Sequence, residues 1–144
     1  MKIVLFVHSI VSDWNIGHAH FLRGLVTALM QRGHRVSCCE PVNNWSTRNL
    51  FATAQAAPIV EFARRFPHVT VRFYDPKEDP LAQVQELTAG ADLVIVHEFN
   101  EPDIVGAVGH VRARRRDFLL LFHDTHHRLA SIPHQIVRFN LGSY

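Results

Sequence analysis

Cysteine is nearly absent from this chain of 144 residues: the two present, Cys38 and Cys39, are adjacent. Neighbouring residues of a strand point to opposite faces, so an ordinary disulfide between them is not expected, and no CxxC or zinc-knuckle spacing exists. A reduced, cytoplasmic protein is the expectation. Net charge is also scarce, at +2 with histidine neutral, too little to argue for a polyanionic partner. No apolar run approaches the ~20 residues that span a bilayer. The opening MKIVLFVHSI has one lysine and no small-residue cleavage site, and it reads as a first strand rather than a signal peptide. Glycine-rich phosphate motifs are missing: there is neither GxGxxG nor GxxxxGK[ST], which removes the dinucleotide fingerprint and the P-loop NTPases. HExxH is missing as well.

Histidine is what the chain has in excess, with eleven. The pattern around them is regular. Lys2–Val7 is a β-branched apolar run, typical of a strand buried on both faces. Phe21, Leu22, Leu25, Val26, Leu29 and Met30 recur at helical spacing until Gly33 stops the helix. Arg35–Cys39 is a second strand, followed by a polar stretch, EPVNNWSTRN, without clear periodicity. Pro58 opens a helix carrying Ile59, Phe62, Ala63 and Phe66 on one face. In HVTVRFY, Val69, Val71 and Phe73 alternate with Thr70, Arg72 and Tyr74, which predicts a strand near a sheet edge. Leu81, Val84 and Leu87 make a short helix, and ADLVIVHE is another buried strand. Glu101-Pro102-Asp103 starts a helix with Ile104, Val105, Val108 and Val111 inward, and DFLLLF closes the series as a fifth, buried strand.

Alternating strands and helices predict one α/β domain over residues 1–144, a Rossmann-like three-layer sandwich with a mostly parallel sheet. Ligands of such sheets sit beyond the carboxyl ends of the strands, near the switch in strand order. With the order 3-2-1-4-5, three neighbouring strands end in His8, His97 and His123. Glu98 follows His97 and Asp124 follows His123, partners expected to fix the tautomers and raise the pKa values. Asn15, Gly17 and His18 fall at the mouth of the first long helix. There Gly17 offers unusual backbone angles and close main-chain approach, and free N–H groups favour a phosphate or carboxylate. Trp14 and Trp45 lie in loops able to overhang the cleft, where an aromatic face suits a sugar or nucleobase as well as it suits core packing. His126 and His127 divide between cleft and solvent. The basic run Arg112, Arg114, Arg115 and Arg116 ends a helix on the opposite edge and reads as dipole compensation, not a nucleic-acid site.

At SDWNIGHAHFLRGLVTALMQRGHRVSCCEP the chain resembles the amino-terminal half of glycosyltransferases with the two-domain GT-B fold, and is most similar to the spore-maturation (CgeB-like) type. The resemblance rests on Trp14 before Gly17-His18-Ala19, on Leu22-Arg23-Gly24-Leu25, on Arg32-Gly33-His34-Arg35-Val36 and on Glu40-Pro41. ADLVIVHE and LLLFHDTHHRL also fit. It implies sugar transfer from a nucleotide-sugar donor, a co-substrate, to an unknown acceptor, with no resident cofactor and no metal. It also implies that this domain is the acceptor side, that a carboxyl-terminal nucleotide-sugar domain is missing after Tyr144, and that the domain is inactive alone. In the implied site His123 and Asp124 are catalytic, His123 contacting the transferring sugar or assisting acceptor deprotonation. Trp14, Asn15, Gly17, His18, His97, Glu98 and His126 bind substrate, with Gly17 near the donor diphosphate. Two rival readings stand beside it. One is a metal-dependent hydrolase using His8, His97, His123 and Asp124, since imidazole plus carboxylate suits zinc or iron. The other is a non-catalytic binding subunit that pairs with a separate donor-binding chain.

Overall fold

The computed structural model describes residues 1–14, 17–125, 131 and 137–144. Its elements, in chain order, are β1 (Lys2–Phe6), α1 (His18–Gln31), β2 (Arg35–Pro41), α2 (Trp45–Ala54), α3 (Ala57–Arg65), β3 (Thr70–Tyr74), α4 (Pro80–Leu87), β4 (Leu93–His97), α5 (Pro102–Arg115) and β5 (Leu119–His123). The five strands form one sheet in the order β3-β2-β1-β4-β5, with every pairing parallel. Helices pack on both faces, so the fold is the α/β, Rossmann-like three-layer sandwich that the alternation implies.

Burial explains the sequence pattern of each strand. In β1, Ile3 and Leu5 face one core with Leu22, Val26 and Phe62, while Val4 and Phe6 face the other with Val84, Val105 and Val108. A strand covered on both sides has no polar face to show, hence the unbroken apolar run. The cysteines obey the same alternation: Cys38 belongs to the first core and Cys39 to the second, both free. Gly33, at φ 82°, ends α1 in the left-handed region that a side chain resists. All four apolar residues assigned to the inner face of α5 are buried.

Three readings need correction. The polar stretch after β2 is not irregular but opens α2, whose cap is Asn44, accepting from Thr47 N at 2.9 Å. That helix buries little besides Ser46 and Leu50, so it carries almost no periodic signal. In the edge strand β3 it is Tyr74 that is buried, whereas Phe73 is 56% exposed. Finally, β5 is the other edge of the sheet, and it is covered on one face alone. Leu120 is buried and Phe122 packs partly against the same core, while Leu119 and Leu121 are 66% and 53% exposed.

Among the described residues no helix is long and apolar enough to cross a membrane. Residues 137–144 pack on α5: Phe139 is buried, and the Tyr144 hydroxyl donates to Val105 O at 2.8 Å.

Candidate functional site

Parallel strands all end on one side, and the chain has placed its polar chemistry there. His97, the last residue of β4, pairs in register with His123, the last of β5. Their rings lie 5.0 Å apart, and His18, the first residue of α1, brings its ring to 5.3 Å from His97. Phe99 stacks on His97 at 5.4 Å, and Phe21 stacks on His123 at 5.5 Å. Glu98 is buried and accepts from Thr125 N at 3.0 Å and from the Thr125 hydroxyl at 3.1 Å. One ligand atom from each of His18, His97 and Glu98 falls within 4.8 Å of the others. Among the described residues the donor set that comes together is therefore not the His8, His97, His123 and Asp124 foreseen for a metal hydrolase.

The protonation state of this cluster differs from the expectation. Burial, then the neighbouring imidazoles of His123, His18 and His8, push His97 down to about 3. His123 is also lowered, chiefly by burial, although Glu98 and Asp124 pull against it. Burial lowers His8 too. Removing rings from water penalises the charged form more than the adjacent carboxylates favour it. At neutral pH His97 is thus uncharged and a poor base, with its lone pair available to a donor.

Beside the cluster, behind Phe99, lies a cavity of about 440 Å³ over the ends of β1 to β4. Its walls include His8, Trp45, Arg48, Tyr74, Phe99 and Asn100. Asn100 fixes the floor, donating to Phe6 O at 2.8 Å and His97 O at 2.7 Å while accepting from the Tyr74 hydroxyl at 3.2 Å. Asp75, Glu78, Glu101 and Asp103 also line it, and among the described residues Arg48 is the one cation that faces them. His8 Nε2 is buried with no hydrogen-bond partner among the described residues, a feature that calls for an explanation in a native fold. The T-shaped pair of Trp14 and Trp45, 5.6 Å apart, brings one indole of the pair, Trp45, to the cavity wall.

The loop between β1 and α1 is held from both sides. Glu40, buried in β2, accepts from Ile10 N at 2.7 Å and Val11 N at 3.4 Å. Arg23, buried in α1, donates to Ile10 O at 2.8 Å, Val11 O at 2.9 Å and Asp13 at 3.0 Å, with its guanidinium over the rings of Phe62 and Phe66. Burial raises Glu40 to about 7 despite those backbone bonds.

The predicted residues separate as follows. His18, His97, Glu98 and His123 come together, with Asp124 next in sequence. None of them lines the cavity, which Trp14 reaches through its partner Trp45. Gly17 has an ordinary helical backbone, φ −60° and ψ −25°, so its expected special angles are not used; the space beside it is open. Asn15 and His126, with His127, lie outside the described residues. Sequence reasoning did not single out Asn100, Tyr74 or Arg48. For Asn100 a signal existed, a polar residue three places past the end of a buried strand. Comparison with known proteins adds no label: no family model, no curated protein and no solved structure matches the chain.

Proposed function

We propose that this chain is the acceptor-side domain of a two-domain glycosyltransferase, which moves a sugar from a nucleotide-sugar donor to an acceptor and is inactive without its donor-binding half. The observation that carries this reading is the cavity itself. It is aromatic-walled, sits at the switch in strand order and borders a histidine cluster. Its size is within the ~300–1,000 Å³ of small-molecule sites. The carboxylates around it disfavour a diphosphate and suit a neutral polyhydroxylated ligand, which is what an acceptor side requires. Trp45 offers a face for a sugar ring, and a ligand hydroxyl would satisfy His8 Nε2. The start of α1 has no side-chain cap and no acidic residue in its first turn. It is therefore suited to the donor diphosphate once the other domain closes. His123, beside Asp124, contacts the transferring sugar. The sequence resemblance supports the same assignment, and two buried free thiols fit a cytoplasmic setting.

The test is an NMR titration of the chain with neutral saccharides and, separately, with nucleotide sugars. Shifts at the Trp45 indole N–H and the Asn100 side-chain amide with saccharides, and weak or no response to nucleotide sugars, are expected. Tight nucleotide-sugar binding to this chain alone, with no saccharide response, would overturn the assignment of sides.

A further inference from the structure

We propose that His18, His97 and Glu98 bind one first-row divalent cation of the zinc type, with the fourth position left to water. This stands apart from the transferase reading, and either can fail without the other. The first support is proximity. A tetrahedral ion with bonds of roughly 2.1 Å sets its ligand atoms about 3.4 Å apart, and the three donors here already lie within 4.8 Å. Side-chain shifts of about an ångström close the set. Two further facts concern charge and pairing. Glu98 is 2% exposed, and among the described residues no lysine or arginine forms an ion pair with it. A buried carboxylate without a counter-charge is costly, and a cation held by neighbouring imidazoles removes that cost.

The surrounding hydrogen bonds leave one oxygen of Glu98 open and give each ring nitrogen of His97 a replaceable partner. Thr125 occupies Glu98 Oε1 through both its N–H and its hydroxyl, which leaves Oε2 for the ion. His97 Nδ1 accepts a 3.2 Å bond from Phe99 N, so the ring proton rests on Nε2, 3.5 Å from Thr125 Oγ1. The ion takes one ring nitrogen of His97, and the hydrogen bond that nitrogen makes here, from Phe99 N at Nδ1 or with Thr125 Oγ1 at Nε2, gives way to it. Two nitrogens and one carboxylate oxygen select zinc, iron or nickel over magnesium and calcium. The ion would staple the start of α1 to the end of β4, joining two elements whose relative position shapes the cleft.

The chain, freed of metal by chelation, is titrated with Zn²⁺ by calorimetry and with Co²⁺ by absorption. The expected result is one ion per chain and the strong visible bands of a four-coordinate Co²⁺ site. His18→Ala and Glu98→Gln should each weaken Zn²⁺ binding more than tenfold while keeping the wild-type circular dichroism. His68→Ala/His110→Ala, which removes two exposed histidines, should bind as wild type does. No uptake by the wild type, uptake undiminished in both site variants, or binding lost in the surface double variant would each overturn the proposal. Should His18→Ala fail to fold, Glu98→Gln decides it.

Discussion

The histidine at the end of β4 and the glutamate at the end of β2 are the residues whose ionisation should shape stability most. His97 has a folded pKa of about 3 against 6.5 when unfolded. Its contribution is complete above pH 6.5 and is lost as pH falls towards 3, by about 1.4 kcal/mol per unit. Glu40 is raised to about 7 from 4.5, so its contribution is complete below 4.5 and is lost as pH rises towards 7. Between pH 4.5 and 6.5 the two slopes oppose each other. Urea unfolding across that window should show a shallower rise in stability with pH for His97→Gln than for wild type, and a steeper rise for Glu40→Gln. Parallel profiles for all three proteins would show that neither group is shifted in this way. These shifts were not legible from the sequence, because carboxylates adjacent in sequence suggest raised imidazoles. The depth of burial that reverses the sign arises where His18, His123 and Phe99 close around His97.

At the scale of the element, the loop after β1 and the strand β5 give contrasting tests. Arg23 and Glu40 grip the donors and acceptors of Ile10 and Val11 from opposite sides, so the loop is positioned without regular structure. Arg23→Leu leaves two buried carbonyls without these bonds and should cost about 2–4 kcal/mol, measured by urea unfolding. A cost under about 0.5 kcal/mol would show that the loop holds itself. In β5, Leu120→Ala should cost about 2–4 kcal/mol and Leu121→Ala less than about 1 kcal/mol, because one side chain is buried and the other open to solvent. Equal costs would mean that the outer face of β5 is covered in solution. The strands and four of the five helices were legible from periodicity and from proline and glycine signals. Residues Trp45–Ala54 were not, since α2 buries so little that its pattern is nearly flat. The exposure of Leu121 was equally hidden, because a strand covered on one face and a strand covered on both can share a leucine-rich run.

For the molecule as a whole, the parallel sheet made the site's location legible and left its membership open. Once all strands run one way, His97 and His123 must share an edge, and the sequence order of elements suffices to place them there. Which loop residues join them depends on the path of the chain, and the path selects His18 and Glu98 while setting His8 on the cavity wall. The proposed role as the acceptor half of a sugar-transferring enzyme belongs to the same scale. It is tested most directly by measuring transfer of a labelled sugar by the polypeptide that the complete reading frame encodes, beside the 144-residue chain alone. Transfer by the complete polypeptide, none by the isolated chain, and a loss of at least ~100-fold in turnover for His123→Ala with folding intact are expected. Full transfer by the isolated chain, or undiminished turnover without the His123 imidazole, would contradict that role.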